Sequence, residues 1–253
     1  MKDESSLPEA YEQHVFSIIS TEYLVRAVDL WQMMIWDMSS EAVASPAGGA
    51  RVAPLESSYA ASICLLSLIG FDGALARCKV IRKDEIACER SWKDLVSKFA
   101  PNISIPHLEA VGELEILRDA LAHNHVWRVH YRLGDDGSDK FLKAEIQTGF
   151  GDKKFKERVD ENSLATRGPL KLRVIPTHLT RQDALIVFGA IWVVLQELAE
   201  ALGQGAVATR VLQVRSRPTR DSARQFVSFE DWLTEQVDSH ERAKQALRSI
   251  STQ

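Results

Sequence analysis

A stretch of twelve residues without a charged side chain, Ala184 to Leu195, is apolar on every face of a helix. Such a helix lies buried, either among other helices or in a membrane. Twelve residues are too few to cross a bilayer, which takes about 20 apolar residues. The sequence Thr180-Arg181-Gln182-Asp183 predicts where this helix starts, and Gly203 and Gly205 predict its end near Leu202. We therefore expect other helices to surround it.

Apolar side chains at helical spacing predict those surrounding helices. They indicate helices over residues 9–38, from about Glu56, over a short segment that opens at Ser91 and stops before Pro101, over 107–125, and from Ser228 onward. Gly70 and Gly73 predict a break or kink in the second helix. The Ser91-Trp92-Lys93-Asp94 sequence has the capping-box pattern. The apolar neighbours of Trp31 and Trp36 favour core positions for both rings over a base-stacking surface.

The pattern becomes strand-like after residue 125. Residues 126–133 and 140–148 read as two strands around a turn at 134–138, and 170–176 predicts a third short strand. We predict a mainly α fold with four parts. They are a helical bundle core over 9–125, a β-containing insertion over 126–178, a bundle-completing helix over 179–205, and an arginine-rich connector with an amphipathic helix over 206–253.

Composition limits the classes of function. The net charge of −4 provides no global attraction to nucleic acid, so any RNA site must be a local basic patch. The acidic start Met-Lys-Asp-Glu-Ser-Ser lacks the apolar core of a secretory signal. Three cysteines without a C-x-x-C pair fit reduced thiols better than a disulfide frame or a zinc site. We expect a cytoplasmic protein that does not bind a membrane.

The helix predicted over 107–125 carries three chemically versatile groups near its C-terminal end. Its apolar stripe consists of Leu108, Val111, Leu114, Leu117 and Leu121. Asp119 and His123 lie one turn apart on one face, where a carboxylate can hold the imidazole in one tautomer. Arg118 and His123 lie about 140° apart around an ideal helix, so they converge only if the helix end distorts or a two-fold partner brings a second copy alongside. We favour the partner.

The sequence Arg118-Asp119-x-x-x-His123 resembles the R-polar-x3-H motif of the HEPN superfamily, over about residues 10–130 and the helix near 183–202. This resemblance implies a HEPN-like antiparallel helical bundle and a metal-independent endoribonuclease of the toxin–antitoxin or phage-defence kind. It further implies that Arg118 and His123 line an RNA cleft at a dimer interface, with Asp119 as the polar residue of the motif. His123 would take the proton of a ribose 2′-hydroxyl, and Arg118 would stabilise the charge on the phosphate.

The resemblance implies RNA as substrate, a homodimer, and a protein antitoxin or regulator as a further partner, with neither metal nor cofactor. One position departs from the pattern. Toxins of this family that are controlled by a nucleotidyltransferase antitoxin often have tyrosine two residues after the histidine, where this chain has His125. That mode of regulation is therefore in doubt.

Several basic and polar residues are weaker candidates for RNA contact: Asn124, His125, Arg128, Arg210, Arg215, Arg217 and Arg220. From residue 210 to 224 there are five arginines and one acid, Asp221. This run could follow an RNA backbone or could be a solvated connector, and the sequence does not decide between them. A metal site from His123, His125 and His130 is disfavoured, because residues two apart on a helix point about 160° apart.

Two other readings stay open. The chain could be a HEPN-type module that binds RNA, a nucleotide or a protein without cutting, with Arg118 in a surface ion pair to Glu115 or Asp119. It could also be a helical scaffold in which the spacing of Arg118 and His123 is accidental.

Overall fold

A computed structural model describes residues 9–44, 49–82, 91–122, 127–133, 139–146, 157–160, 162–203, 207, 209, 212–217 and 219–251. Over these residues the fold is mainly helical, with only small antiparallel sheets, which confirms the predicted class. The helices are α1 (Glu9–Ala44), α2 (Gly49–Ile81), α3 (Trp92–Phe99), α4 (Ile105–Ala122), α5 (Arg181–Leu202), α6 (Phe229–Asp238) and α7 (Glu241–Ser251).

Helix α5 is the central element, as its apolar sequence predicts. Its side chains are buried without interruption from Asp183 to Trp192, and it packs against α2, α4, α6 and α7. Thr180 is the N-cap residue, and Gly203, with φ of +88°, follows the last turn. That φ lies in the left-handed region, which glycine adopts at little cost.

One fully buried carboxylate joins three segments around the start of α5. Asp183 Oδ2 accepts hydrogen bonds from the backbone N–H of Thr180 at 3.0 Å and from its hydroxyl at 2.9 Å. Asp183 Oδ1 accepts from Arg242 Nη2 of α7 at 2.7 Å, and Arg173 Nη1 lies 3.7 Å from Oδ2. A buried carboxylate is tolerated when cations and N–H groups satisfy it in this way.

Helices α1 and α2 pack along one another. The second helix continues from Gly49 to Ile81, so a break at Gly70 and Gly73 is wrong, and the alternative of a kink stays a prediction. Gly70 is buried within the bundle. The cost of a glycine inside a helix, about 1 kcal/mol, is small beside the packing of a helix of this length.

Two helices, Leu55–Ile81 and Arg181–Leu202, are long and apolar enough to cross a membrane by length and composition. In this fold 50% and 67% of their most apolar windows are buried against the rest of the molecule. The core helices of a helical bundle have the same combination of length and hydropathy.

Among the residues that the structure describes, the strands form three separate antiparallel pairs. Strands β1 (Trp127–Leu133) and β2 (Asp139–Ile146) pair antiparallel, with a bulge between His130 and Tyr131, and the predicted turn between them lies outside the described residues. Strands β3 (Val159–Asp160) and β4 (Ala165–Thr166) form a two-residue pair. Strands β5 (Gln213–Ser216) and β6 (Gln225–Ser228) form the third hairpin.

The third strand predicted over 170–176 is wrong. Lys171 has a φ of +50°, which interrupts an extended chain, and only Arg173 forms a bridge, to Ala165. Leu170, Leu172 and Leu179 instead belong to the main hydrophobic core. This part of the predicted insertion therefore helps to build the bundle.

The last predicted helix is two helices, α6 and α7, separated at Ser239 and His240. The Ser239 hydroxyl donates back to the carbonyl of Glu235 at 3.3 Å, a local bond that competes with continuation of the helix. The arginine-rich run before them is largely folded as the β5–β6 hairpin, which packs on α1.

Candidate functional site

Helix α4 holds the predicted motif and is buried over most of its length. Its described residues run from Ile105 to Ala122, and all side chains from Ala110 to Leu117 are buried. The predicted stripe therefore faces the core. Arg118 and Asp119, at the end of this buried stretch, are the first residues after it to reach solvent, with 28% and 15% of their side chains exposed.

The Arg118 guanidinium is fixed in place on two sides. Its Nε and Nη2 donate to Asp119 Oδ1 at 3.0 and 2.6 Å. Its central carbon lies 4.7 Å from the centre of the Trp92 ring. The ring is buried, and its Nε1 donates to Asp72 Oδ1 at 2.7 Å. The result is a permanent cation with a defined orientation and partial access to solvent.

The start of α3 supports this arrangement in a way that differs from the prediction. The Ser91 hydroxyl donates to Glu115 Oε2 on α4 at 3.4 Å. Among the described atoms the Ser91 side chain makes no capping hydrogen bond, so the capping box predicted for Ser91 and Asp94 is wrong. Ser91 and Trp92 thus contact α4 through their side chains.

The other half of the motif lies outside the described residues. His123, Asn124 and His125 belong to the segment 123–126, which the structure does not describe, and the predicted pairing of Asp119 with His123 stays a prediction. Asp119 instead pairs with Arg118. The sequence allowed either Glu115 or Asp119 as the partner of this arginine.

The residues predicted as weaker candidates for RNA contact lie in different parts of the structure. Arg128 lies in β1 opposite Glu145, and Arg210 lies outside the described part of the chain. Arg220 pairs with Asp37 of α1. Arg215 and Arg217 line a common cleft.

That cleft, called here the arginine cleft, lies between α1 and the β5–β6 hairpin. It has a volume of about 240 Å³ and is lined by Arg26, Asp29, Gln32, Met33, Trp36, Arg215, Arg217 and Arg224. The sequence pattern did not indicate Arg26, whereas Arg224 belongs to the arginine run for which RNA contact was left open. Trp36 was predicted to lie in the core, but its ring is only half-buried.

A second cleft, of about 340 Å³, contains an unexpected buried acid. Glu113 on α4 is 5% exposed and lines this cleft with Lys93, Arg158, Thr166 and Arg167, among others. Its Oε1 accepts from the Leu170 N–H at 2.8 Å, and its Oε2 accepts from the Thr166 hydroxyl. Burial raises its pKa, and the hydrogen bonds from Thr166 and Leu170 offset part of that rise.

The position of Glu113 could have been found in the sequence. It lies three residues after Ala110 and four before Leu117, which places it on the buried face of the predicted helix.

Two cysteines, Cys64 and Cys78, are buried free thiols, and burial raises the pKa of Cys78 to about 12. Over the described ranges no group of three or more His, Cys, Asp and Glu side chains is arranged to hold a metal ion.

No protein-family model, curated protein or solved structure matches this chain.

Proposed function

We propose that this chain is an endoribonuclease of the HEPN type that cleaves RNA without a metal ion. The observation that carries the proposal is the Arg118 guanidinium, oriented by Asp119 and Trp92 and partly exposed where α4 leaves the core. A fixed, permanent cation at this position is suited to stabilise a phosphate that gains charge during attack.

In the proposed reaction His123 acts as the general base. The neutral imidazole takes the proton of a ribose 2′-hydroxyl, and the 2′ oxygen attacks the adjacent phosphorus. The bond from phosphorus to the 5′ oxygen breaks, and this oxygen takes up a proton. The products are a 2′,3′-cyclic phosphate and a 5′-hydroxyl end. Asp119 is a positioning residue, because it contacts Arg118 and thereby fixes the direction of the guanidinium.

A homodimer is part of this proposal. Arg118 and His123 are separated by about 140° around an ideal helix, so a second α4 beside the first would supply the missing group. Helix α4 is buried from Ala110 to Leu117, and Arg118 and Asp119 at its C-terminal end reach solvent, where they can meet a partner. The proposed setting is a cytoplasmic toxin or phage-defence nuclease, with a protein antitoxin or regulator as a further partner.

The direct test is incubation of the pure protein with a mixed RNA pool in excess EDTA. We expect cleavage products that end in a 2′,3′-cyclic phosphate. Removal of a general base typically costs about 10²–10⁴ in rate, and removal of a group that stabilises transition-state charge about 10²–10³, so His123→Ala and Arg118→Ala should each slow cleavage at least about 100-fold. Arg82→Ala removes an exposed arginine after α2 and is the matched control, which should cleave like the parent. A fully active His123→Ala excludes the proposed chemistry.

A second candidate is a HEPN-type module that binds RNA, a nucleotide or a protein without cutting. The observation in its favour is that Asp119 Oδ1 already accepts from two nitrogens of Arg118, so part of the guanidinium fork is occupied. This candidate predicts salt-sensitive RNA affinity with no products. The same incubation, followed by a binding measurement, separates the two.

A further inference from the structure

The arginine cleft concentrates positive charge on a chain that is acidic overall. Four arginines line it, and Asp29 is the one acid among its lining residues within the described ranges. Asp29 lies 3.2 Å from Arg26, which also pairs with Glu22 at 2.7 Å. Arg26 is therefore neutralised by residues of its own helix. Three cations remain: Arg215, Arg217 and Arg224.

These three cations have no ion-pair partner among the residues that the structure describes. The Nε of Arg217 is buried and makes no hydrogen bond to any described atom. A buried donor without an acceptor costs about 1–3 kcal/mol, and more for a charged group. Like charges brought together on one small hairpin add a further cost. A bound anion would remove both costs.

The hairpin that carries the arginines is held firmly against α1. Gln32 Nε2 donates to the backbone carbonyl of Arg215, and Arg220 pairs with Asp37. Arg215 lies in β5 and Arg217 follows directly after the strand, and both line the cleft together with residues of α1. The hairpin therefore presents its cations toward α1 as a fixed group.

The wall contributed by α1 includes apolar and aromatic side chains. Trp36 lines the cleft with Met33, which is 45% exposed. On the hairpin, Phe226 is 67% exposed and is the cross-strand neighbour of Arg215. Aromatic surface beside arginines is the combination on which the bases of a single strand stack while the cations contact its backbone.

We propose that the arginine cleft binds single-stranded nucleic acid, with a backbone phosphate at Arg215, Arg217 and Arg224 and the adjacent base against Trp36. The volume of about 240 Å³ is below the roughly 300–1,000 Å³ of enclosed small-molecule pockets. It suits one nucleotide of a strand that continues over the surface. This site contains none of the motif residues, so its test does not depend on whether the proposed nuclease activity is found.

The test uses a fluorescently labelled oligo(dT) strand and the full chain, with binding followed by anisotropy over a series of salt concentrations. DNA has no 2′-hydroxyl, so it cannot be consumed by the proposed cleavage reaction. If three cations contact phosphates, log K should fall with log salt with a slope of about −2, from about 0.7 per contact on single strands. No detectable binding at low salt overturns the proposal, whatever the outcome with RNA cleavage.

Arg217→Gln should weaken binding about tenfold and reduce the salt slope by about 0.7, because one charged contact is lost. Arg82→Gln makes the same charge change at an exposed position outside the cleft and should bind like the parent. If the two variants lose affinity equally, the effect is one of overall charge, and the site is wrong.

Stacking is tested first by changing the ligand rather than the protein, so that the result does not depend on whether a variant folds. An abasic strand should bind about 5- to 150-fold more weakly than oligo(dT), as expected for loss of a base–aromatic contact. Trp36→Leu should lose affinity for oligo(dT) and little for the abasic strand. Equal affinity of the parent for both strands, or full displacement of oligo(dT) by inorganic tripolyphosphate at equal phosphate concentration, overturns the assignment to nucleic acid.

Discussion

At the scale of single residues, Glu113 shows how a polar group becomes part of a core. It lies in the most deeply buried stretch of α4, and its two oxygens accept from Leu170 and Thr166. Gly168 is required beside it, because a Cβ there would lie 2.3 Å from Glu113 Oε1. The carboxyl group thus accepts from the Leu170 N–H in the irregular segment after β4 and from the Thr166 hydroxyl in β4, and it fixes this part of the chain on α4.

Glu113 should also make stability depend on pH. Burial raises its pKa in the folded state above the ordinary value of 4.5. Below the unfolded pKa the group is protonated in both states, and its contribution to stability is fully present. As the pH rises through the folded pKa, the folded state has to ionise a buried carboxyl group, and that contribution is lost.

We therefore predict that Glu113→Gln, compared with the parent, becomes relatively more stable as the pH rises from about 4 to about 8. Urea unfolding at several pH values measures the difference. Glu109→Gln changes an exposed acid on the same helix and is the matched control. A difference between Glu113→Gln and the parent that does not vary with pH would contradict the prediction.

Local sequence patterns predict which residues of a helix are buried, but not which distant residues they contact. The stripe from Leu108 to Leu121 correctly predicted a buried helix with Arg118 where it reaches the surface. The cation–π contact with Trp92 and the pairing of Arg242 with Asp183 join residues 26 and 59 positions apart. Such pairs depend on how the helices are arranged, and no local pattern records that arrangement.

At the scale of elements, the contact between α5 and α7 depends on one missing side chain. A Cβ on Gly189 of α5 would lie 2.4 and 2.6 Å from the two methyl carbons of Leu247 on α7. The glycine therefore allows the C-terminal helix to pack directly on the backbone of the central helix. Glycine is otherwise a poor helix former, which costs about 1 kcal/mol relative to alanine.

We predict that Gly189→Ala changes its effect with the residue at position 247. In the parent chain it should destabilise by about 1–3 kcal/mol, because the new methyl group displaces Leu247. In a Leu247→Ala background the clash is absent, and the same change should stabilise by up to about 1 kcal/mol through helix propensity. Urea unfolding of the four proteins of this double-mutant cycle measures both effects. Equal destabilisation in both backgrounds would show that α7 does not pack on Gly189.

The elements that sequence predicted well are those with a local signal. Thr180 and Gly203 correctly mark the start and end of α5. The predicted break at Gly70 fails because burial in the bundle outweighs the low helix propensity of glycine. The prediction of a single C-terminal helix is wrong because its apolar stripe, Phe229, Leu233 and Val237, does not show where the helix ends. Helix α7 turns a different face, with Ala243 and Ile250, toward the core.

At the scale of the whole molecule, the proposed nuclease depends on two copies of the chain. If each site combines Arg118 of one protomer with His123 of the other, two inactive variants should complement one another. A dimer of Arg118→Ala with His123→Ala contains one site with both groups intact. Random pairing of equal amounts gives half mixed dimers, so the mixture should regain about a quarter of the parent activity.

The measurement is RNA cleavage after the two variants are unfolded together and refolded, with each variant alone as the control. Complementation supports a site shared across the interface. A mixture that stays as inactive as its components would place Arg118 and His123 of any active site in the same protomer, or would leave only the non-catalytic candidate.

The salt bridge between Asp183 and Arg242 has a consequence for the order in which the molecule is made. The carboxylate at the head of α5 lacks its closest cation until a segment 59 residues further along the chain has been synthesised. Ala243 and Ile250, which complete the core beside that bridge, come later still. Helices α2 and α4 precede α5 and can already pack on it, but during translation the side of α5 that α6 and α7 cover stays exposed until those two helices have been made. A chaperone that binds apolar helices has its best opportunity in that interval, before α7 has been synthesised.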